Sequence, residues 1–309
     1  MSTPGEALPV SRVKDGFVEL SAPGEDLPVS RMNDIYPGID PAPHFAHQTY
    51  AGKSILVTGG SRGIGLEITL FYAKAGANIV LVARDQSGLD SAKATILAAS
   101  VPNSKVITSI VDVTDTKAVK SLVEFVVSTF GRLDIVVANA GKADPWRKPF
   151  TEYDPDNWWR TMEVNIRGVY NIAHFTLPEL AKTKGYHVII GSLAGQMRMP
   201  FASSYVTSKH AVNRLNEYIA IENPDVKAFS VNPGAIDTEM AKNNPEAASW
   251  LIDTLQLPAA TLLRLTSGRE DWLNGKFVNS NWNLDEVEVQ FKEKIIEQGA
   301  LVNRLHIPH

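Results

Sequence analysis

Tyr205 and Lys209 stand four residues apart in Ser203–Glu222, a stretch whose spacing predicts a helix. At that spacing the two side chains share one helical face, one turn apart. Alone, such a pair describes a half-buried phenol beside a solvated amine. Two more residues change its meaning. Ser192 precedes Tyr205 by thirteen residues and follows the apolar run His187–Ile190, and Asn165 lies in an earlier helix-like stretch. A reaction that leaves alkoxide character on an oxygen needs a proton and donors aimed at that oxygen. A free tyrosine titrates near about pH 10, and a neighbouring ammonium favours the phenolate. Lys209 is therefore expected to draw the Tyr205 value down, and Ser192 to donate to the substrate oxygen and orient it.

A second chemical feature is the segment Thr58-Gly59-Gly60-Ser61-Arg62-Gly63-Ile64-Gly65, which follows the apolar run Ser54–Val57 and opens a helix pattern. A strand, a glycine-rich turn and a helix N-terminus together form an anion site, because free backbone N–H groups and the helix dipole point at it. Glycine permits positive φ and a close approach of pyrophosphate to the backbone.

The spacing Thr-Gly-x-x-x-Gly-x-Gly, joined to Tyr-x-x-x-Lys, resembles the short-chain dehydrogenase/reductase family over about Lys53 to Asn279. The resemblance implies a Rossmann fold and the family tetrad, here Asn165, Ser192, Tyr205 and Lys209. In it Lys209 also holds the nicotinamide ribose, and Asn165 holds a water that links Lys209 to solvent. Gly59, Ser61, Arg62, Gly63, Ile64 and Gly65 would cradle the cofactor phosphates. Asp112 and Val113 would touch the adenine, while Asn139, Ala140 and Gly141 would border the ribose and stabilise the central sheet. Pro233-Gly234-Ala235-Ile236-Asp237-Thr238 is similar to the family's Pro-Gly turn, with Ile236 and Thr238 on the nicotinamide side. Ala138 stands where many relatives carry a first Asn.

The choice of cofactor rests on the end of the second strand, Leu81-Val82-Ala83-Arg84. In a Rossmann unit an acidic residue there binds the ribose 2′-hydroxyl of NAD, whereas an arginine suits the 2′-phosphate of NADP. Ala83 replaces the acid, Arg84 follows it, and Arg62 sits in the glycine turn. Two guanidiniums clamp a dianionic phosphate with bidentate bonds. NADP(H) is the expected cofactor, although Asp85 comes one residue too late for the ribose contact.

These groups must be positioned by regular elements. Strands are expected at Ser54–Val57, Asn78–Val82, Val106–Val111, Ile135–Ala138, His187–Ile190 and Lys227–Val231, with helices near Gly63–Ala75, Gly88–Ala99, Asp115–Phe130, Asn157–Ala181 and Ser203–Glu222. Apolar strands alternating with helices imply a doubly wound parallel α/β sheet, with ligands at the carboxyl ends of its strands. Residues 51–309 are expected to form one such domain. The alternation breaks at 237–268, which carries Met240, Trp250, Leu251, Leu255, Leu257, Leu262 and Leu263. This is too long for an αβ connection and is read as a small helical substrate cap. Residues 1–50 are read as an N-terminal extension, either weakly ordered or an arm packed on the body or on a neighbouring subunit. Within it Pro4–Arg12 recurs as Pro23–Arg31 with one change, Ala7 to Asp26, and Tyr36, Phe45 and Tyr50 offer anchors.

Composition narrows the function. The formal net charge of −4 disfavours nucleic acid and anionic membranes as partners. No apolar run reaches the roughly 20 residues of a membrane span. The first residues lack the pattern of a secretory signal, so a cytoplasmic enzyme is expected. The chain has 0 cysteines, which excludes disulfides and thiolate chemistry, and its 7 scattered histidines indicate no metal. The expected reaction interconverts a ketone and a secondary alcohol. Trp146, Met197, Met199, Phe201, Met240 and Trp250 suggest an apolar or aromatic substrate. The resemblance also implies a homodimer or homotetramer paired through the two long helices, where Trp158, Trp159, Val169, Phe175, Val212 and Tyr218 are outward candidates. Two alternatives stand beside this reading: a non-catalytic NADP(H) sensor or scaffold, for which Ser192 and Tyr205 would be superfluous, and a reductase of imines or enones.

Overall fold

The computed structural model of the chain describes residues 26–102 and 104–305, together with the backbone of two short antiparallel strands at Val13–Lys14 and Phe17–Val18. Pro4–Arg12, the first copy of the repeat, lies outside the described residues, as do Pro23–Glu25 of the second.

Seven strands make one parallel sheet: β1 (Ser54–Thr58), β2 (Asn78–Ala83), β3 (Val106–Ile110), β4 (Ile135–Ala138), β5 (Tyr186–Ile190), β6 (Lys227–Asn232) and β7 (Lys276–Asn279). Their spatial order is β3-β2-β1-β4-β5-β6-β7, so the chain winds outward in both directions from β1. All five residues of β1 and all four of β4 are buried, as expected of strands covered on both faces. The place where the winding reverses, between β1 and β4, opens a crevice at the carboxyl ends of the strands. Strand β7 goes beyond the six strands expected from the sequence. Its four residues, Lys-Phe-Val-Asn, are too short and too mixed for an apolar run to stand out.

After the short helix α1 (Ala42–His47), one face of the sheet is covered by α2 (Gly63–Lys74), α3 (Gln86–Ala99), α8 (Gln256–Leu265) and α9 (Leu284–Gln298), which share a cluster around Ile55, Val57, Leu81 and Phe229. The opposite face carries α4 (Thr116–Phe130), α6 (Gly168–Thr183) and α7 (Ser203–Glu222). A shorter helix, α5 (Pro155–Met162), runs through a π turn at Glu163–Arg167 into α6.

Helix α8 corrects the extent of the expected cap. From Leu257 to Leu265 every residue of it is buried, and it packs on α2. It is surrounded by protein, with even Arg264 buried against Glu270 at 2.7 Å, and its leucines belong to the core rather than to a cap. What lies over the carboxyl ends of the strands is the shorter irregular segment 239–252, with 3-10 turns at Ala241–Asn243 and Pro245–Trp250.

Residues 26–50 lie along α8, α9 and the end of β7. Leu27, Val29 and Met32 pack on the core, and Arg31 bridges Trp282 in antiparallel fashion. Tyr36 is buried, and its hydroxyl accepts from Leu284 N at 2.8 Å. Tyr50 is fully buried and donates to Leu263 O at 2.6 Å. Phe45 meets Phe71 of α2 edge-on. Trp159 on α5, Tyr170 on α6, and Tyr218 and Ile221 on α7 are exposed. Val169 and Val212, expected to face outward, are buried, because their positions turn toward β4 and β5 rather than away from them.

Candidate active site

The four residues singled out by type and spacing converge at the carboxyl end of the sheet, held by different elements. Ser192 follows β5 at the N-cap of the 3-10 turn Leu193–Gln196, where its Oγ accepts from Ala194 N. Tyr205 and Lys209 lie on the first turns of α7. The Ser192 hydroxyl faces the Tyr205 phenol and favours its deprotonated form. Lys209 Nζ sits 5.7 Å from the centre of the Tyr205 ring and donates to Ile190 O at 2.6 Å.

Asn165 occupies the π turn before α6 and is buried. Such turns insert one residue and re-aim a side chain. Its amide nitrogen donates to Ser208 Oγ at 2.8 Å and Lys142 O at 2.9 Å, and its oxygen accepts from Lys142 N at 2.8 Å. Asn165 is thus fastened to α7 one residue before Lys209, and to the loop after β4.

Burial governs the electrostatics. Lys209 is nearly inaccessible, and desolvation lowers its ammonium to about 8. Desolvation also raises the Tyr205 phenol above its ordinary value, only partly offset by Ser192. Burial is thus the larger influence on Tyr205, ahead of the downward pull expected from Lys209. Both charged forms lose water in the same dry place, and the ammonium spends its hydrogen bond on a backbone carbonyl. Tyr205 is therefore held as a neutral phenol.

The glycine turn is built to expose backbone. Gly59 has φ +65°, and a Cβ on it would lie 2.9 Å from Asn139 Nδ2; one on Gly65 would lie 2.4 Å from Gly59 O. Asn139 holds the turn closed, donating through Nδ2 to Thr58 O at 2.9 Å and Gly59 O at 3.1 Å, while Thr58 Oγ1 accepts from the Asn139 and Ala140 amides. Asn139 and Ala140 thereby join β4 to β1, as expected for the central sheet. No side chain caps α2 at Arg62, and a Cβ on Gly63 would meet only the Thr238 methyl. The first amides of α2 therefore face open space, the condition for receiving phosphate, and the cradle fits a dinucleotide. Ser61 lies beside Gly88, and Ile64 is packed on the core.

At the end of β2, Arg84 is largely exposed at 70% and lies 3.9 Å from Asp112 Oδ2. Asp112 is held more firmly elsewhere, by Arg160 Nη2 at 2.7 Å and by Thr114 through N and Oγ1, and these donors hold its carboxyl below the usual range. The Val113 side chain is buried against Gly168. Asp85 caps α3, accepting from Gly88 N at 2.7 Å. Its oxygens are thus engaged in a helix cap, with the Arg62 charge nearby.

The Pro233–Thr238 turn closes the far side. Gly234, at φ +105°, lets Asp253 approach so closely that a Cβ would lie 2.7 Å from its Oδ2. Ile236 is buried, and the Thr238 methyl faces Gly63. Gly141 faces Asn165 and Met240. The segment 239–252 is tied to the loop after β4: Trp146 N donates to Asn244 Oδ1 at 2.6 Å, and Asn243 Nδ2 to Ala143 O at 3.3 Å. Trp146 leans on Tyr205 with ring centres 6.2 Å apart, and its indole N–H is buried with no partner among the described residues.

Sequence reasoning missed several contributors. Asn232, at the end of β6, accepts from Leu193 N at 2.9 Å and donates to Asn279 at 2.8 Å, which fixes the turn that carries Ser192. Its signal was an amide at the end of the strand Lys227–Asn232. Lys142, Asp144 and Thr161 form a polar cluster next to Asn165, with Thr161 Oγ1 donating to Asp144 at 2.6 Å. Asp253 carried no sequence signal. Among the described residues, no cluster of metal-ligating side chains occurs and no helix is long and apolar enough to cross a membrane.

Comparison with known proteins agrees with this arrangement. A family model described as short chain dehydrogenase matches residues 53–249. A short chain dehydrogenase of Monascus purpureus, mpl6, is 37% identical over 281 residues, covering 88% of this chain and 94% of its own. Levodione reductase superposes with a TM-score of 0.69 at 26% identity, covering 74% of this chain and 96% of that one. A 7α-hydroxysteroid dehydrogenase, solved with NADH and 7-oxo glycochenodeoxycholic acid, gives 0.70 at 25% identity, covering 76% and 96%.

Proposed function

The chain belongs to the short-chain dehydrogenase/reductase family, and on that premise we propose that it interconverts a ketone and a secondary alcohol with NADP(H). The observation that carries the reading is the convergence of Ser192, Tyr205 and Lys209 beyond the carboxyl end of β5, on the same end of the sheet as the glycine turn and the Pro-Gly turn, which meet at Gly63 and Thr238. The nicotinamide, when bound, supplies or accepts the hydride. Gly59–Gly65 and Thr238 hold its phosphates, and Asn139–Gly141 border the ribose. Ser192 donates to the carbonyl oxygen. Tyr205 gives that oxygen its proton, and Lys209 carries a charge that supports the resulting phenolate. Asn165 ties α7 to the loop after β4, so that these groups keep their spacing.

Preference for NADP(H) rests on Ala83 and Arg84: no carboxylate follows β2 directly, Asp85 is engaged in capping α3, and the exposed Arg84 guanidinium is available to a 2′-phosphate. Trp146 and Met240 beside the site favour an apolar or aromatic substrate. The exposed Tyr170, Tyr218 and Ile221 favour pairing of two copies through α6 and α7. Turnover of NADPH against a panel of ketones tests the reaction. Fluorescence titration of Arg84→Ala tests the cofactor: NADPH affinity should fall about ten- to a hundredfold, the cost of a charge-assisted contact, with NADH little changed. Equal losses for both would remove Arg84 from that role.

A further inference from the structure

Residues 26–36 reach the cofactor side of the molecule through one buried carboxylate. Asp253 is 6% exposed and has no cationic partner among the described residues. Its Oδ2 accepts from Ala235 N at 2.6 Å, and its own N donates to Ala235 O at 3.0 Å. Asp253 thus holds the middle of the Pro233–Thr238 turn from both backbone groups of Ala235, and Gly234 leaves the room for it. Asn33 covers the other side of the carboxylate: with its amide nitrogen toward Asp253 it donates to Oδ1 at 3.0 Å and to Met32 O at 3.3 Å. The next residue is held twice by the same stretch, Thr254 N donating to Asn33 O at 2.9 Å and Thr254 Oγ1 to Asp34 Oδ1 at 2.7 Å. This stretch is itself pinned further along, by Ser30 N to Glu286 Oε2 at 2.7 Å, Met32 N to Asn281 O at 2.7 Å and Trp282 Nε1 to Asp26.

We propose that Asn33, Asp34 and Thr254 form a latch by which the N-terminal arm, acting through Asp253, positions the Pro233–Thr238 turn for cofactor. The inference rests on the reading above that this turn faces the dinucleotide. A turn built on a glycine with positive φ has little rigidity of its own. A buried carboxylate that loses a donor turns toward solvent to replace it, and in turning it gives up its aim at Ala235 N. Releasing the latch therefore loosens Asp253, and through it the segment that sets Thr238 against Gly63. Apparent affinity falls in proportion to the fraction of molecules that keep the competent turn. A turn held in about one molecule in ten raises Kd about tenfold.

The test uses the full chain and the triple variant Asn33→Ala, Asp34→Ala, Thr254→Val. Cofactor Kd comes from fluorescence titration with NADPH and NADH, kcat from assays at saturating cofactor, and Tm from the cofactor-free protein. The triple variant should bind its cofactor about tenfold more weakly and keep kcat within about twofold of the wild type. Trp282→Phe, which removes the Asp26 bond without touching Asp253, should lower Tm and leave Kd at the wild-type value. An unchanged Kd in the triple variant overturns the latch, as does an equal rise in Trp282→Phe, since the arm would then act through global stability alone. A wild-type protein that binds neither dinucleotide overturns the functional reading and the latch with it. Wild-type binding with an unmoved triple variant overturns the latch alone.

Discussion

Replacing Lys209 with methionine should make the cofactor-free protein more stable while destroying its activity. Lys209 is 7% exposed, and burial lowers its ammonium from 10.5 to about 8. A displacement of that size corresponds to roughly 3 kcal/mol of disfavoured charge. The sign follows from proton binding in the two states. Below about pH 8 both folded and unfolded chains carry the proton, and the full penalty falls on the folded state. Between about 8 and 10.5 the unfolded chain keeps a proton that the folded chain has released, so wild-type stability rises with pH through that window. Methionine fills the same volume without the charge. It forfeits the bond from Lys209 Nζ to Ile190 O, worth about 1 kcal/mol. The balance at pH 7 is a gain of about 2 kcal/mol, shrinking toward zero by pH 10. Urea unfolding followed by tryptophan fluorescence, at pH 7 and at pH 10, measures it. If the variant is no more stable than the wild type at pH 7, or if the difference does not change with pH, Lys209 is not held against its desolvation and the electrostatic account of the site is wrong.

Other expectations follow from the same geometry. Tyr205→Phe should keep the fold and lower kcat by about 10²–10⁴, and single-turnover rates on folded protein would show it. With the Lys209 ammonium lowered to about 8 and the Tyr205 phenol raised by burial, carbonyl reduction should hold its rate at neutral pH and decline above about pH 8, as the charge that supports the phenolate is lost; a pH profile of single-turnover reduction checks this, and a rate that stays flat above about pH 8 would contradict it. Trp146→Phe removes an indole N–H that has no partner among the described residues. It should raise KM about fivefold, the worth of one hydrogen bond, for ketones with a second oxygen acceptor near the carbonyl, and leave plain ketones unaffected. Asn139→Ala strips Thr58 O and Gly59 O of their donor and should cost about 1–3 kcal/mol in urea unfolding, together with weaker cofactor binding.

The features legible in the sequence were those with local periodicity or fixed spacing. Six of the seven strands read as apolar runs, the glycine turn was marked by its place between a strand and a helix, and the Tyr205–Lys209 pair gained its meaning only together with Ser192 and Asn165. What escaped depends on distant packing. Helix α8 looked like a cap because its leucines are as apolar as a lid's; only its seat on α2 shows that it is core. The direction of the Tyr205 displacement depends on how dry the site is, and a sequence does not state dryness. Asp253 joins Ala235 at a separation of 18 residues and Asn33 at a far greater one, so no window of sequence contains the contact. The polar cluster of Lys142, Asp144 and Thr161 is assembled from the loop after β4 and from α5, and it escaped for the same reason.

The central claim is that a hydride passes between NADP(H) and a carbonyl carbon with Tyr205 supplying the proton. Incubating the protein with NADPH deuterated at the transferable C4 position and a ketone drawn from the panel, then examining the product by mass spectrometry and NMR, tests this most directly. The account predicts one deuterium on the carbinol carbon, slower or no transfer from the corresponding NADH, and almost no product from Tyr205→Phe. Product without deuterium at that carbon, or equal product from Tyr205→Phe, would contradict it.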